Sequence, residues 1–230
     1  MKKLKHHVIV WTSNNDGSRE TGWHSFDLAR AVKRSIDVAV AGIGILLLAP
    51  IFAVVAMAIR ILMGSPVFFR QVRPGYRAKP FTLYKFRTMR EEYGHDSTPL
   101  PDSQRLTRLG RFLRRTSLDE LPQFWNVLRG DLSLVGPRPL LMRYIVLYSS
   151  EQARRHEVKP GITGWAQVLG RNSISWDDKF SYDVWYVDHW SIRLDFKILM
   201  LTLTSVLRQS GISQEGHATM EEFTGTVGRR

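Results

Sequence analysis

A long apolar run, from Val38 to Ile59, constrains what this chain can fold into more than any other feature of the sequence. The run is 22 residues long and contains no charged or strongly polar side chain. A helix of that length covers the hydrocarbon thickness of a bilayer at about 1.5 Å per residue. It begins too far from the N-terminus, and is too long, to be the ~7–15-residue apolar part of a signal peptide. The sequence therefore predicts a membrane helix, although a buried helix of a soluble core is the alternative.

The charges at both ends of this run, and a proline near its centre, favour a helix that enters the membrane and returns. Basic residues lie on both sides of it: Arg30, Lys33 and Arg34 before, and Arg60, Arg70, Arg73, Arg77 and Lys79 after. Because positive charge is retained on the cytoplasmic side, both ends are drawn to that face. Pro50 removes a backbone donor and clashes with the preceding turn. We expect a re-entrant helix broken at Pro50, with a mildly kinked spanning helix as the alternative.

The remainder of the chain predicts a mostly helical α+β fold rather than alternating β-α-β units. Residues 1–24 are assigned to a flexible leader, and residues 25–63 to an amphipathic lead-in followed by the re-entrant helix. Residues 64–223 form one domain with that helix, and residues 224–230 form a tail. Within the domain, VFFRQVR and FTLYKFRTM flank a Pro-Gly turn and predict a small β-hairpin. We expect amphipathic helices to lie at the membrane interface, around a site on the cytoplasmic face.

The charge balance limits the partners that such a chain attracts. There are 33 Lys and Arg against 21 Asp and Glu, an excess that attracts nucleic acid, an anionic membrane or a phosphorylated substrate. No zinc-finger spacing or zipper heptad is present, so we expect no nucleic acid and assign the charge to phospholipid headgroups and phosphates. The chain has no cysteine, which excludes disulfides and thiolate metal sites. Its histidines lack metal-binding helical spacing, so a zinc site is not expected.

Two adjacent carboxylates, Asp119 and Glu120, lie in the segment of the chain that is richest in acids and bases. We expect them near the start of a helix from Leu118 to Leu128, where Ser117 and Glu120 would form a capping box. A carboxylate gains there from the helix dipole, as a bound phosphate does. Consecutive helical residues point about 100° apart, so one carboxylate could attack or accept a proton while the other binds a metal. In isolation, such a pair is more often an ordinary first turn of a helix.

Four basic residues extend the phosphate hypothesis. Arg114 lies upstream of the carboxylates, and Arg138 lies downstream between two prolines that stiffen its loop. Lys85 shares a predicted strand face with Arg87, with simple solvation as the alternative. Arg171 follows a glycine-rich stretch, GITGWAQVLG, that permits close backbone approach to a ligand. Its guanidinium offers bidentate recognition of phosphate or a base edge, although a surface loop has the same composition and neither common nucleotide-binding spacing is present.

As a set, these motifs resemble the bacterial sugar transferase family, the monotopic phosphoglycosyl transferases. The similarity runs from about Lys33 to Phe223, and the order and spacing of the motifs make it specific. They are KRSIDV, the proline-containing apolar helix, PVFFRQVRPG, FTLYKFRTM, RTSLDELPQFWNVLRGDLSLVGPRPL, KPGITGWAQVLGRNSISWDDKFSYDVWY, LDFKIL and SGISQEGHATMEEF. The chain departs from the family at Ala49, where many members have a serine before the membrane proline. That departure weakens the expectation of a sharp break.

The resemblance implies transfer of a sugar-1-phosphate from a UDP-sugar to undecaprenyl phosphate, with release of UMP, on the cytoplasmic face of the bacterial inner membrane. Asp119 would be the nucleophile that forms a covalent phosphosugar intermediate, and Glu120 would help to hold Mg²⁺. The family's basic residues match four positions here: Lys85, Arg114 and Arg138 around the phosphates, and Arg171 near the nucleotide.

Two other functions stay open from the sequence. A membrane-bound, Mg²⁺-dependent phosphohydrolase could use the same carboxylates and metal, and it would need no polyprenyl phosphate acceptor. A non-enzymatic, membrane-anchored scaffold with a basic face would bind anionic lipid or nucleic acid in a salt-dependent way, with no role for Asp119.

Overall fold

The architecture is that of a long N-terminal helix joined to a small mixed domain. The computed structural model describes residues 20–91, 100–170, 174–208 and 222–225. The helices are α1 (Glu20–Leu62), α2 (Asp102–Arg105), α3 (Arg108–Arg115), α4 (Gln123–Arg129), α5 (Ser150–Ala153), α6 (Trp165–Gly170), α7 (Trp176–Asp188) and α8 (Ile192–Arg208). The strands are β1 (Phe68–Pro74), β2 (Pro80–Phe86), β3 (Ser133–Val135) and β4 (Gly161–Thr163). The mostly helical fold with a small hairpin is confirmed. Residues 1–19 of the predicted leader and 226–230 of the predicted tail lie outside the described residues.

Helix α1 contains the apolar run and begins at Glu20, inside the stretch that the sequence assigns to a leader. Of the described helices, this is the one long and apolar enough to cross a membrane, over Leu28–Leu62. Its outward-facing large side chains are 64–76% exposed: Leu46, Leu47, Val54, Met57 and Ile61. Such a stripe is suited to lipid, which supports association with a membrane. The helix continues through Pro50 without interruption, so the re-entrant break stays a prediction.

Both halves of α1 pack against the segment that contains the two carboxylates. Before Pro50, Ala41 belongs to a core cluster that includes Val127, and a Cβ on Gly44 would lie 3.0 Å from the Phe124 ring. After Pro50, the buried pair Val55 and Ile59 forms a second cluster with Phe86 and Leu113, against which Leu118 and Leu121 pack. The residues around Asp119 and Glu120 therefore lie directly against α1.

The hairpin is antiparallel, and its register places Phe69 opposite Lys85 and Arg73 opposite Phe81. Strand β2 ends at Phe86, so Arg87 does not share a strand face with Lys85 as the alternation suggested. Arg87 is buried. It donates to three carbonyl oxygens at the end of α1 and just beyond: Met63 at 2.6 Å, Gly64 at 2.7 Å and Ser65 at 3.1 Å. Arg87 thus joins the membrane helix to the hairpin and takes no part in the site.

The predicted capping box at Ser117 and Glu120 is wrong. Ser117 has a φ of 57° and makes no capping hydrogen bond; Leu118–Glu120 form a 3-10 turn, and α4 begins at Gln123. A capping box needs the second side chain to bond back to the first residue, but the Glu120 carboxylate is held by two cations instead. The described capping box lies at Ser149 and Gln152.

The glycine-rich connection packs against backbone. Strands β3 and β4 pair in parallel, and a Cβ on Gly161 would lie 2.1 Å from the Gly136 nitrogen. A Cβ on Gly164 would lie 2.2 Å from the Gly136 oxygen. Trp165, which could have offered a stacking face to a ligand, stacks on Trp185 with ring centroids 5.3 Å apart. Gly161 and Gly164 therefore allow their segment to pack directly against the backbone at Gly136.

Candidate active site

Glu120 is fixed by two cations from different parts of the chain. Its Oε1 lies 2.7 Å from Lys85 Nζ in β2 and 2.6 Å from Arg138 Nη2 in the loop after β3. Burial alone would raise the pKa of Glu120, but the charges and hydrogen bonds of Arg138 and Lys85 outweigh it and hold that pKa well below its usual range. Glu120 is therefore ionised at any physiological pH, and its Oε2 accepts no hydrogen bond from a described residue.

Asp119 has the opposite environment, although it is the next residue. Its side chain is only 7% exposed, and no described residue donates a hydrogen bond to it. Burial and the neighbouring Glu120 charge raise the pKa of Asp119 to about 6, against the opposing effect of Lys85, Arg114 and Arg138. At neutral pH the carboxylate is charged and desolvated, and it accepts no hydrogen bond from a described residue. Those are the properties that a carboxylate nucleophile needs.

Arg114 is held beside Asp119 by the close approach of α3 to Thr88, the second residue after β2. Its Nε donates to Thr88 Oγ1 at 3.1 Å. The approach depends on Gly110, because a Cβ there would lie 1.9 Å from the Thr88 oxygen. Burial lowers the pKa of Arg114 and the Asp119 charge opposes that effect, so the guanidinium is part of the electrostatic environment of Asp119.

Asn126 aligns the strand that contains Lys85 with the turn that contains the carboxylates. This fully buried side chain accepts from Tyr84 N at 3.1 Å through Oδ1 and donates to the Thr82 oxygen at 2.7 Å through Nδ2. The sequence reading did not identify Asn126. A polar residue within an apolar helical pattern is the signal that could have found it, since buried amides are retained where they are fully hydrogen-bonded.

Arg138 is aligned by a buried ion pair that the sequence reading also missed. Arg155 donates to Asp183 Oδ2 from Nε at 3.1 Å and from Nη2 at 2.6 Å. Its Nη2 also donates to the Arg138 carbonyl at 2.8 Å. Both members of the pair are almost fully buried. The pair therefore pins the loop backbone from which the Arg138 side chain extends to Glu120.

Five of the six residues proposed from the sequence are described, and they meet in one place. Lys85 and Arg138 contact Glu120 directly, and Lys85, Arg114 and Arg138 all act on the Asp119 charge. Arg171 lies outside the described residues. The site thus combines one free carboxylate, one fixed carboxylate and three cations.

The carboxylates suit Mg²⁺ only in combination with a substrate. Among the described residues no three His, Asp or Glu side chains cluster as a ready-made metal site. Mg²⁺ typically binds one or two carboxylates, substrate phosphates and waters. Glu120 Oε2 and the Asp119 carboxylate are uncommitted oxygens of that kind. The donor set therefore fits a metal that arrives with a diphosphate.

Comparison with known proteins gives a consistent result. The family model described as bacterial sugar transferase matches residues 28–209. The chain is 64% identical over 168 residues to the uncharacterized sugar transferase EpsL of Bacillus subtilis (strain 168), which covers 73% of this chain and 83% of the relative. It is 40% identical over 189 residues to the UDP-glucose:undecaprenyl-phosphate glucose-1-phosphate transferase of Escherichia coli (strain K12), which covers 76% of this chain. It is 42% identical over 193 residues to the galactosyl transferase CpsE of Streptococcus agalactiae serotype III (strain NEM316), which covers 78% of this chain. The matches span about two fifths of the length of these last two relatives.

Proposed function

This chain belongs to the bacterial sugar transferase family, and we propose that it transfers a sugar-1-phosphate from a UDP-sugar to undecaprenyl phosphate. The relatives that are UDP-glucose:undecaprenyl-phosphate glucose-1-phosphate transferases support the donor and the acceptor. The observation that carries the proposal is the state of Asp119: a buried, unpaired carboxylate among three cations, next to a membrane helix. A scaffold would need no such carboxylate, and a phosphohydrolase, which uses no lipid acceptor, would not need the site to lie beside a membrane helix.

The reaction proceeds by two displacements at one phosphorus atom. An Asp119 Oδ attacks the phosphorus that bears the sugar; the new O–P bond forms as the bridging P–O bond breaks, and its electron pair leaves with the oxygen of UMP. An oxygen of undecaprenyl phosphate then attacks the same phosphorus, and the O–P bond to Asp119 breaks to restore the carboxylate. Lys85, Arg114 and Arg138 offset the negative charge that develops on the phosphate oxygens.

Glu120, through its free Oε2, would hold Mg²⁺ beside the diphosphate. When bound, the ion neutralises phosphate charge and stabilises the leaving oxygen. The ion pairs with Lys85 and Arg138 keep Glu120 ionised and fix its orientation, so its remaining oxygen is already in place for a metal ligand.

A re-entrant α1 on the cytoplasmic face is part of this proposal. On a straight helix, Gly44 and Ile59 are about 22 Å apart. Phe124 lies against Gly44, and Leu118 and Leu121 pack against the cluster that contains Ile59, yet these three residues are at most six positions apart in the chain. A bend at Pro50 shortens the distance between the two halves of α1 and favours both contacts. The site then lies where a soluble nucleotide-sugar and a lipid phosphate meet.

Helix α8 is proposed to lie in the interface. Three of its large apolar side chains, at i, i+4 and i+7, are exposed by 65%, 48% and 54%: Phe196, Met200 and Leu203. An amphipathic helix with such a stripe lies in the headgroup layer with its apolar face toward the acyl chains. Its placement would orient the domain on the membrane.

The proposal is tested by incubating the purified chain with a panel of UDP-sugars, Mg²⁺ and undecaprenyl phosphate, and by measuring UMP and the lipid product. We expect one or more sugars to give stoichiometric UMP and lipid diphosphosugar, and we expect Asp119→Asn to give neither. Release of sugar phosphate or inorganic phosphate without the lipid would instead establish a phosphohydrolase. Lipid binding that is salt-dependent, without UMP release and indifferent to Asp119, would establish a scaffold.

A further inference from the structure

The hairpin presents a second cation on the face that contains Lys85. In an antiparallel pair, opposite residues point to the same side and alternate residues share a face. Phe69 is opposite Lys85, and Arg73 lies four residues further along β1. Arg73 therefore faces the same side as Lys85, about 13 Å along the strand direction. Arg70, three residues before Arg73, faces the other side and is exposed.

Arg73 has no acidic partner among the described residues. Its Nη2 donates to the Gln71 side chain at 2.6 Å, and its Nε is buried with no hydrogen-bond partner. Its charged neighbours are Arg138 and Arg143, together with two tyrosines. Burial first, and then the Arg138 charge, lower the pKa of Arg73 to about 10. A guanidinium that is desolvated, beside like charge and without a counter-ion, is costly unless a ligand supplies the negative charge.

Three of the described acidic residues near Arg73, Arg138 and Arg143 already form ion pairs with other cations or with Arg138 and Arg143 themselves. Glu120 pairs with Lys85 and Arg138, Asp183 pairs with the buried Arg155, and Glu222 pairs with Arg143. Of the protein charges that act on Arg73, that of Arg138 is the largest, and Arg138 contacts Glu120 directly. Arg138 therefore neighbours both Arg73 and the carboxylate pair. A negative charge bound at Arg73 would therefore lie next to Arg138, close to the proposed nucleophile Asp119.

The in-line geometry of phosphoryl transfer says which phosphate belongs at that position. The attacking and leaving oxygens lie roughly opposite each other across the phosphorus. When Asp119 attacks, the phosphate of UMP leaves on the far side. When the lipid phosphate attacks the same phosphorus, Asp119 is the leaving group, so the lipid phosphate enters from that same far side. The two phosphates occupy one position in turn.

We propose that Arg73, together with Arg138, forms this shared phosphate subsite, which binds the phosphate of UMP in the first displacement and that of undecaprenyl phosphate in the second. Guanidinium groups match the geometry of phosphate oxygens. The inference rests on the proposed function and deepens it, because it assigns a substrate-binding role to a residue on the opposite strand of the hairpin from Lys85.

The test compares Arg73→Gln with Arg70→Gln, which removes the same charge from the other face of the same strand, and with Arg73→Lys. The first half-reaction is followed by exchange of labelled UMP into the UDP-sugar without lipid, and the second by the KM for undecaprenyl phosphate in the complete reaction. We expect Arg73→Gln to weaken the binding of UMP in the exchange reaction and to raise the KM for the lipid phosphate. Each effect should be roughly ten-fold to a hundred-fold. Arg73→Lys should recover part of both effects, and Arg70→Gln should match the unmodified chain.

A stability measurement separates binding from a structural role. Because Arg73 has no counter-charge, Arg73→Gln should melt at the same temperature as the unmodified chain or higher, but UMP should no longer raise that temperature. A lower melting temperature without UMP would assign Arg73 to the fold and overturn the proposal. So would a defect confined to one half-reaction, or kinetics equal to those of Arg70→Gln. If the unmodified chain neither exchanges nor releases UMP, the proposed function itself fails.

Discussion

At the scale of single residues, the site separates two neighbouring carboxylates by their environments. Glu120 receives two charged hydrogen bonds on one oxygen and stays ionised. Asp119, buried and without a hydrogen bond, has its pKa raised toward neutrality. Titratable neighbours whose pKa values are pushed apart commonly divide two chemical roles. Here the fixed carboxylate is suited to holding charge in place, and the free one is suited to attack.

Asp119→Asn should stabilise the folded chain at neutral pH. The pKa of Asp119 is about 6 in the fold against an ordinary 3.8. The folded state therefore binds more protons between these values, and its stability falls as pH rises through that window. Above pH 6 the ionised Asp119 lowers the free energy of unfolding by its full amount, on the order of 1–3 kcal/mol. Thermal unfolding should show the variant more stable at pH 7.5, with the difference shrinking toward pH 4. A lower stability of Asp119→Asn would contradict the account. The comparison variant Glu120→Gln should be less stable than the unmodified chain, because it leaves the charges of Lys85 and Arg138 uncompensated.

The raised pKa of Asp119 also predicts the acid limb of the pH profile. Exchange of UMP into the UDP-sugar, without lipid, requires the ionised carboxylate. The rate should fall about ten-fold per pH unit below about pH 6. A rate that stayed level down to pH 5 would show that Asp119 is not the group that attacks.

At the scale of elements, the site depends on how closely the hairpin, α3 and α4 approach one another. Asn126 bonds α4 to two backbone groups of β2, and Gly110 lets α3 contact Thr88, two residues after β2. These contacts set the positions from which Lys85 and Arg114 reach the carboxylates. The alignment of the cations is thus a property of backbone packing.

Gly110→Ala should disturb this alignment. The new Cβ would lie 1.9 Å from the Thr88 oxygen, so α3 must move and Arg114 must leave Thr88. We expect a loss of roughly 1–3 kcal/mol in the free energy of unfolding and a lower rate of UMP release. Gly42→Ala in α1 is the matched control, because its nearest neighbour is 4.0 Å away and alanine is the better helix former. Equal effects of the two substitutions would show that the close approach is unimportant.

The elements that could be predicted from the sequence are those with a local signal. The long apolar helix follows from an uninterrupted apolar run, and the hairpin follows from strand-forming residues around a Pro-Gly turn. Lys85, Arg114 and Arg138 were proposed from the residues and from the family resemblance, and in the structure they meet at the carboxylates. The capping box failed because a long-range ion pair took the Glu120 side chain. Asn126, Arg155 and Arg73 were missed because their importance depends on burial and on partners far along the chain, which no local pattern encodes.

At the scale of the whole molecule, a polar, strongly basic domain is packed against both halves of one apolar helix. The formal net charge of the whole chain, +12, has the sign that an anionic leaflet would attract. The exposed apolar faces of α1 and α8 lie on the same chain as the proposed phosphate site. This arrangement suits an enzyme whose donor is soluble and whose acceptor stays in the bilayer.

The re-entrant topology predicts that both ends of the chain are cytoplasmic. Because the chain has no native cysteine, single cysteines at Thr21 and Gly225 can be labelled cleanly. In intact cells an impermeant thiol reagent should label neither, and after permeabilisation it should label both. Labelling of the Thr21 position alone from outside would establish a spanning helix.

The most direct test of the central claim is to trap the phosphosugar on Asp119. The chain is incubated with a UDP-sugar that it uses and with Mg²⁺, but without undecaprenyl phosphate, and the quenched protein is digested and analysed by mass spectrometry. The account predicts a burst of about one UMP per protein molecule, together with a sugar-phosphate adduct on the peptide that contains Asp119. Undecaprenyl phosphate should discharge the adduct, and Asp119→Asn should form none. Normal turnover by folded Asp119→Asn, or an adduct on another residue, would contradict it.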